Sequence, residues 1–417
     1  MYKLLSIKNF NNALKKMGDY NIVKNTPLNL NERLSNKYNC NIFFKREDLQ
    51  SVRSFKIRGA FNKIINTYNP KINNKIVTVS AGNHAQGVSL TCATLDIDHH
   101  IFLPKNTPLQ KINRIKYFGK ENLKIHLEGY NFDESLAIGT EFCKNNEYIF
   151  IHPFDDIDVI TGQGTIGVEL FNEIKADIII MPIGGGGLIS GVGLYSKLIN
   201  PDCLIYGVEP YNANSMEISI KNKKISTLNN IDTFVDGASV KTPGINNFNI
   251  CNKMIDDIYV INNNKLSYNI IDIYQNDGIV LEPAGALSIS CLDMLDKNIL
   301  KNKNVVCLLS GGNNDISRYS DILEKSLLYQ NLKHYFLITF NQTPGQLKNF
   351  INNILGENDD ISRFEYLKKN NKNQGVVLLG IELQNKNDIY NILEKMNKYN
   401  FDYIKINSDD LLYTYLI

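Results

Sequence analysis

Short, nearly continuous apolar runs alternate with amphipathic stretches between about residue 40 and residue 310. Runs of this kind are typical of parallel strands that helices cover on both faces, because such strands have no side facing solvent. The predicted strands lie at residues 41–45, 75–80, 99–104, 122–127, 148–153, 176–182, 203–209 and 304–310. The alternation therefore predicts a doubly wound α/β domain, in which ligands bind at the carboxyl ends of the strands. Ahead of it, Ser6 can cap a helix on which Phe10, Leu14 and Met17 share one face.

The pattern changes near residue 325. Four strands are predicted at residues 334–340, 361–366, 375–383 and 402–406. The two helices between them have apolar faces made by Leu347, Phe350, Ile351 and Ile354, and by Ile389, Ile392, Leu393 and Met396. The order βαββαβ is that of a ferredoxin-like unit, and the segment before it, residues 318–332, is predicted to be helical. We therefore expect one domain over residues 1–325, with a smaller lobe inserted at about 50–155, and a second domain over residues 326–417.

Composition narrows the classes of protein and of partner. The 417 residues are too many for one core, and the net charge of +2 provides no basic field for nucleic acid or for an acidic membrane. No apolar stretch is long enough to span a bilayer, and the N-terminal stretch lacks the apolar core of a signal peptide. The seven cysteines are widely spaced and without a C-x-x-C pair. These features predict a cytoplasmic protein with no metal site.

Lys56 lies between two apolar side chains, Phe55 and Ile57. Apolar surroundings disfavour the ammonium form of lysine, so they favour an amine that can act as a nucleophile or a base. Most lysines are ordinary surface residues, and the remaining motifs decide between the two interpretations.

A glycine-rich turn follows the predicted strand at 176–182. It consists of Gly184, Gly185, Gly186 and Gly187, and a helix begins there. Successive glycines let the backbone approach a ligand closely, and the N–H groups of a helix N-terminus attract anions, so the turn is a candidate phosphate site. The alternative is a flexible loop, which is seldom placed between a buried strand and a helix. No Lys-Ser/Thr pair follows, so the turn is not a P-loop.

Three further strand or helix ends carry polar residues. The first is a turn made of Ser80, Ala81, Gly82, Asn83 and His84. Its backbone amides can hold a carboxylate, and Asn83 can hydrogen-bond an oxygen on a ring. Glu282 precedes a proline at a helix start, and Ser310 ends an apolar strand before two glycines. Alone, each has a structural explanation; together with a lysine and a phosphate site outside a P-loop, they indicate pyridoxal phosphate held as a Schiff base.

The motifs resemble those of the fold type II pyridoxal-phosphate enzymes, which are related to the tryptophan synthase β subunit, and within them the threonine dehydratases. "SFKIRGA" is similar to the Schiff-base motif of that family, "SAGNHAQG" to its substrate and ring loop, and "GGGGL" to its phosphate cup. "EPAGAL" and "LLSGGN" also match. The resemblance covers essentially the whole chain, and it implies a two-lobed catalytic domain followed by a single ACT-like regulatory domain.

The resemblance also implies roles for the residues. Lys56 would hold the cofactor and later act as the base, and Phe55 would pack on the cofactor ring. The phosphate would lie against the four glycines and Leu188, with Asn83 and Glu282 at the ring. Ser310 would face the pyridine nitrogen as a catalytic residue. The turn Ser80–His84 would bind the substrate.

The implied reaction is the deamination of L-threonine to 2-oxobutanoate, the first step towards isoleucine, with L-serine as a secondary substrate. The resemblance further implies isoleucine as an effector of the C-terminal domain, and a homotetramer.

Two other functions remain open. A serine racemase or serine dehydratase has the same fold, but such racemases resemble this chain with a second serine where Ala81 stands. They also bind a metal ion through a glutamate, here Glu209, and an acidic residue where this chain has Ser215. A non-catalytic amino-acid sensor is the alternative from another class, and the intact lysine, asparagine, glycine and serine motifs argue against it.

Overall fold

Three separate sheets organise the computed structural model, which describes residues 5–72, 75–366, 372–408 and 410–417. The strands are β1 Leu28–Leu30, β2 Asn41–Arg46, β3 Ile76–Val79, β4 His99–Leu103, β5 Leu123–Leu127, β6 Ile149–Phe150, β7 Ile178–Pro182, β8 Leu204–Pro210, β9 Asp257–Ile261, β10 Asn304–Leu309, β11 Lys333–Asn341, β12 Asp360–Tyr366, β13 Gln374–Glu382 and β14 Asp402–Ile406.

Helices connect most of these strands. They are α1 Ile7–Tyr20, α2 Glu32–Tyr38, α3 Lys56–Thr67, α4 Asn83–Thr94, α5 Leu109–Gly119, α6 Phe132–Asn145, α7 Ile157–Glu173, α8 Gly187–Ile199, α9 Ser215–Lys221, α10 Ile245–Met254, α11 Asn263–Asp277, α12 Pro283–Ser290, α13 Lys297–Leu300, α14 Tyr319–Tyr329, α15 Gln346–Ile354, α16 Asp388–Lys398 and α17 Leu411–Leu416.

The chain divides into an N-terminal unit, residues 1–266 with 273–315, and a C-terminal unit, residues 267–272 with 316–417. The C-terminal unit begins ahead of residue 325, where the hydrophobic pattern changes, because α14 packs with β11 of the C-terminal sheet.

The largest sheet has the order β1-β2-β10-β7-β8-β9. All its neighbours are parallel except the edge strand β1, which pairs antiparallel with β2. Every residue of β7 is buried, as the continuous apolar run predicted. A fully buried aliphatic side chain stabilises the fold by about 1.5–3 kcal/mol, so this sheet and the helices on it form the main core.

The smaller lobe of the N-terminal unit contains a parallel sheet in the order β5-β4-β3-β6. Since β3 and β6 are neighbours, the turns that follow their carboxyl ends lie side by side. The doubly wound, two-lobed fold expected from the sequence is confirmed. The strand predicted at 148–153 is shorter, because only Ile149 and Phe150 pair with β3.

The C-terminal sheet is antiparallel, in the order β12-β13-β11-β14. With α15 and α16 between its strands it has the predicted βαββαβ order. The predicted apolar face of α15 is only partly covered: Phe350 and Ile354 are buried, whereas Leu347 and Ile351 are 40% and 43% exposed. The helix rests on its sheet through one edge of the apolar stripe, and the other edge faces outward.

All seven cysteines lie in the N-terminal unit, and all are buried and unpaired. Burial raises the pKa of each of these thiols, to about 12 for Cys203 and Cys251. Among the described residues, no helix combines the length and the apolarity needed to cross a lipid bilayer.

Candidate active site

The ends of neighbouring strands bring the predicted site residues to one edge of the large sheet. Strand β10 lies between β2 and β7 and runs parallel to both. Ser310 follows β10, and the glycine turn follows β7. The chain after β2 leads into the turn before Lys56, where the N–H of Phe55 donates to the carbonyl oxygen of Ser310 at 3.1 Å. The order of the strands therefore places the lysine, the serine and the glycines together.

Lys56 is the first residue of α3, and its amine is held in place by one backbone group. Nζ donates to the carbonyl oxygen of Pro153 at 2.8 Å and lies 5.3 Å from the centre of the Phe55 ring. Removal from water lowers the pKa of Lys56 to about 8, and the negative charge of Glu282 opposes this only in part. The direction of this shift is the one expected for a lysine between apolar side chains.

A buried ionic network anchors α3 through Arg58, two residues beyond Lys56. The guanidinium of Arg58 donates to both carboxylate oxygens of Glu47 and to both of Glu169, at 2.6–2.8 Å. Lys45 forms a second ion pair with Glu169 at 2.8 Å. Lys45, Glu47 and Arg58 are fully buried and Glu169 nearly so, which leaves two cations balanced by two carboxylates. Bidentate pairs of this kind are geometrically specific, so α3 has little freedom to rotate.

The glycine turn has the shape of a cradle. Gly186 caps α8 with a φ of +95°, a left-handed conformation that favours glycine. A Cβ at Gly185 would lie 2.3 Å from the ring of Phe154, so no other residue fits without displacing that ring. Asn247 donates from Nδ2 to the carbonyl oxygens of Gly185 and Phe154, at 2.8 and 3.1 Å. The turn is thus held from outside by a side chain that binds its carbonyl oxygen and not its N–H groups.

Asn83 and Glu282 are brought together, although 199 residues separate them. Asn83 Nδ2 donates to Glu282 Oε1 at 2.7 Å, and Asn313 Nδ2 donates to Asn83 Oδ1 at 2.7 Å. Burial, with the charge of Asp236 in addition, raises the pKa of Glu282 to about 7, and the bond from Asn83 acts in the opposite direction. A carboxyl group of this kind exists in both protonation states near neutral pH.

The other residues of the turn after β3 differ in their surroundings. Ser80 Oγ accepts from the N–H of Gly82 at 3.2 Å, and a Cβ at Gly82 would meet nothing within 4 Å. Ala81 is partly buried against the core of the small lobe. His84 is buried, and Nε2 lies 3.1 Å from the carbonyl oxygen of Ile151. Burial lowers the pKa of His84 to about 3, with a further contribution from the charge of Lys56, so the ring is neutral and fills a structural position.

Ser310 is buried at the end of β10. Its carbonyl oxygen accepts from the N–H of Phe55, so the backbone ties the end of this strand to the turn before Lys56. Leu188, the first residue after the four glycines, is buried in the core of the large lobe.

The loop after β6 is a part of the site that the sequence did not reveal. His152 Nδ1 accepts from the N–H groups of Phe154 and Asp155, at 3.2 and 2.8 Å, which shapes the loop. The Asp155 carboxylate accepts from the first two N–H groups of α10. Pro153, the partner of Lys56, is therefore placed by its neighbours. A backbone acceptor leaves no signal in a sequence, but Asn313, in the same "SGGN" motif as Ser310, could have been noticed.

Glu209 is used in the structure to cap a helix. Its carboxylate accepts from the N–H groups of Met216 and Glu217 at the start of α9, at 2.9 and 2.7 Å. Burial raises the pKa of Glu209 to about 8. In the described ranges, no three His, Cys, Asp or Glu side chains are grouped so that they could hold a metal ion.

The residues present fit pyridoxal phosphate. The glycine cradle, in which a Cβ at Gly185 would clash, suits its phosphate, the amine of Lys56 suits its aldehyde, and the Ser310 hydroxyl at the same edge suits its ring nitrogen.

Comparison with known families supports this fit. The family model described as "pyridoxal-phosphate dependent enzyme" matches residues 20–311, and that of the "C-terminal regulatory domain of threonine dehydratase" matches residues 324–416. The biosynthetic L-threonine dehydratase of Halalkalibacterium halodurans is 48% identical over 398 residues, which covers 95% of this chain and 96% of that protein. The chain belongs to the threonine dehydratase family of pyridoxal-phosphate enzymes.

Two solved structures are similar in fold to this member of the threonine dehydratase family. The processed form of threonine deaminase isoform 2 from Solanum lycopersicum has a TM-score of 0.70 and 35% identity, with 77% of this chain and 94% of that chain covered. Maize serine racemase has the same TM-score at 28% identity, with coverages of 78% and 98%. Fold alone therefore does not separate the two activities.

Proposed function

We propose that this protein converts L-threonine into 2-oxobutanoate and ammonia, with L-serine as a secondary substrate. The observation that carries the proposal is the amine of Lys56, which has a lowered pKa and is held by Pro153 at the edge shared with the glycine cradle. The near-full-length identity to a biosynthetic L-threonine dehydratase supports the choice of substrate. The reaction would supply the first intermediate of isoleucine synthesis.

Pyridoxal phosphate, when bound, withdraws electrons from the substrate α-carbon and so makes its proton acidic. Lys56 Nζ is the group that takes this proton, and its lowered pKa increases the fraction of free amine near neutral pH. The Pro153 carbonyl oxygen directs the nitrogen, because it accepts one of the N–H groups and leaves the lone pair to point elsewhere. Loss of the α-proton and of the β-hydroxyl together removes one water from the substrate, and a later hydrolysis consumes one water and releases ammonia.

The remaining residues of the site would bind and orient the cofactor and the substrate. The backbone amides at the start of α4, where the turn Ser80–His84 passes into the helix, would hold the substrate carboxylate. The four glycines and Leu188 would form the phosphate site, and Phe55 would pack on the ring. Asn83 and Glu282 would contact the ring. Ser310 would hydrogen-bond the ring nitrogen, and because a hydroxyl is far less acidic than a carboxylic acid, it would leave that nitrogen unprotonated.

A product assay tests the proposal. Purified holoenzyme is supplied with L-threonine or L-serine, and 2-oxobutanoate and pyruvate are measured alongside D-serine. We expect 2-oxobutanoate to form faster than pyruvate, with the difference limited to about 10–200-fold because one methyl group separates the substrates. Lys56→Ala should abolish both products. Pyruvate alone, or D-serine as the main product, would favour the serine dehydratase or racemase alternative.

We further propose that isoleucine binds the C-terminal unit and lowers activity. The match to a threonine dehydratase regulatory domain supports this, as does Gly345, which caps α15 with a φ of +88° and has no atom within 4 Å of where a Cβ would lie. Isoleucine should inhibit the full-length enzyme, and Gly345→Phe should remove the inhibition while leaving basal activity intact. Lys348→Ala, an exposed change in the same helix, is the control. Inhibition of equal strength in Gly345→Phe would place the effector elsewhere.

The homotetramer and the cytoplasmic location also belong to this proposal. Seven unpaired, buried thiols support a reducing compartment. Sedimentation of the holoenzyme tests the tetramer, and a monomer at micromolar concentration would rule it out.

A further inference from the structure

Asn313 is tied to two segments of the site at once. Its side-chain nitrogen, Nδ2, donates to the carbonyl oxygen of Val52 at 2.7 Å and to Asn83 Oδ1 at 2.7 Å. A third acceptor, Gln86 Oε1, lies at 3.4 Å. Val52 is fully buried in the turn before Lys56, and Asn83 begins α4. One amide group therefore links the turn before the lysine to the asparagine at the ring.

These contacts determine which way two amides point. The two ends of an asparagine amide have nearly the same shape, so its orientation follows from its neighbours. The Val52 carbonyl oxygen can only accept, so the end of Asn313 that faces it must be the nitrogen. The same nitrogen faces Asn83, so the end of Asn83 that faces Asn313 must be the oxygen. The nitrogen of Asn83 is then left to donate to Glu282 and into the site.

This reasoning starts from a backbone carbonyl, whose role cannot be reversed. It does not depend on the protonation state of Glu282, which accepts from Asn83 on the other side. A neutral Glu282 could donate or accept, and it would then leave the Asn83 amide undetermined if Asn313 were absent.

We infer that Asn313 is a positioning residue that directs an N–H group of Asn83 towards the ring oxygen of pyridoxal phosphate. The inference rests on the proposed contact between Asn83 and the cofactor. A donor at that oxygen strengthens cofactor binding and favours its negative charge, whereas a reversed amide would present oxygen to oxygen. Asn313 need not touch the cofactor for this effect.

The informative variant is Asn313→Asp, which has nearly the same shape but at neutral pH only accepts hydrogen bonds. It would attract the nitrogen of Asn83 and turn the oxygen towards the ring. We expect the affinity for pyridoxal phosphate, measured by titrating the apoenzyme, to fall about 10–100-fold, the usual effect of mispairing a buried polar group. The visible absorption band of the bound cofactor should shift to shorter wavelength. Asn313→Ala should do less, because it leaves the Asn83 amide free to adopt either orientation, whereas Asn313→Asp favours the reversed one.

A double-mutant cycle separates positioning from a structural effect. Asn83→Ala is measured alone and together with Asn313→Asp, and Asn314→Asp is the matched control, because Asn314 donates to the Leu281 carbonyl oxygen. If Asn313 acts through Asn83, the double variant should bind cofactor no more weakly than the worse single variant. Additive losses, or an unchanged absorption band in Asn313→Asp, would overturn the inference. So would a loss in Asn314→Asp equal to that in Asn313→Asp.

Two further outcomes are distinguishable. Unchanged cofactor affinity in Asn83→Ala would show that Asn83 does not contact the ring, and the premise itself would then be wrong. If Asn313→Asp does not fold, Asn313→Ala replaces it in the cycle, with an expected loss of about threefold that must again disappear in the Asn83→Ala background.

Discussion

The two units of the chain differ in whether they bury charged side chains. The N-terminal unit buries Lys45, Arg58, Glu47 and Glu169 in the network that anchors α3, the helix that begins at Lys56. Between residues 316 and 417, the buried polar side chains that the structure describes are those of Ser326 and His334, and apolar residues form the core. Buried ion pairs seldom add stability relative to apolar packing, but they are specific in geometry. The difference indicates that ion pairs fix the position of the helix that begins at Lys56, whereas apolar packing holds the second unit together.

Two glycine turns repeat the contrast on a smaller scale. Gly186 and Gly345 each cap a helix with a positive φ. Phe154 crowds the turn that contains Gly186, through its contact with Gly185, whereas the turn that contains Gly345 is open. The first turn is therefore shaped in advance for one ligand, and the second leaves room.

The largest effect is expected at Arg58. Arg58→Met leaves Glu47 and part of Glu169 as unpaired buried charges, so the free energy of unfolding should fall by about 3–5 kcal/mol. Arg363→Met breaks a pair with Glu365 whose side chains are 31% and 59% exposed, and should cost no more than about 1 kcal/mol. Denaturant unfolding of both variants, followed by far-UV circular dichroism, checks the difference. Similar losses would remove the contrast between the units.

The next largest effect is expected for Gly185→Leu. The new side chain meets the Phe154 ring, and overpacking of this kind costs about 1–3 kcal/mol, which corresponds to about 10–100-fold in cofactor affinity if the cradle opens to relieve it. Titration of the apoenzyme with pyridoxal phosphate measures the loss. Gly345→Leu should leave cofactor affinity at the parent value, and unchanged affinity in Gly185→Leu would mean that the phosphate binds elsewhere.

Glu282→Gln should change how stability depends on pH. The pKa of Glu282 is raised from 4.5 to about 7 on folding, so between these values the folded apoenzyme binds more protons than the unfolded chain. Stability from this group is therefore present below pH 4.5 and is lost as the pH rises to about 7. The melting temperature of Glu282→Gln, relative to the parent, should rise by a few degrees across this window. A constant difference would contradict the raised pKa.

The smallest effect is expected at Ile351. Ile351→Lys replaces a side chain on the outward edge of α15, so the free energy of unfolding should change by no more than about 0.5 kcal/mol. The same denaturant experiment measures it. A loss of several kcal/mol that depends on protein concentration would show that another copy of the chain covers this edge.

Hydrophobic periodicity predicted most of the fold, because buried parallel strands stand out in a sequence as near-continuous apolar runs. It missed β9, an edge strand whose apolar run of four residues, 258–261, is short and of which only Ile261 is buried. It also overstated α15, since the apolar stripe extends to Leu347 and Ile351 beyond the part that the sheet covers. Pattern shows which side of a helix is apolar, and only packing shows how much of that side is covered.

The candidate site divides in the same way. Lys56, Asn83, the glycines and Ser310 stand in motifs that can be read directly, and the structure brings them to one edge. The carbonyl of Pro153 and the orientation of the Asn83 amide depend on atoms that every residue has, or on neighbours distant in sequence. No pattern of residue types could have predicted them.

The seven buried thiols provide the molecule with its own reporter of motion. A thiol reagent reacts only with exposed thiolate, and burial suppresses both the exposure and the ionisation of each cysteine. Because every cysteine lies in the N-terminal unit, the rate of labelling measures how often that unit opens. It does not report openings of the C-terminal unit. Slower labelling on addition of an amino acid would then mean that the bound amino acid makes the N-terminal unit open less often, wherever the amino acid is bound.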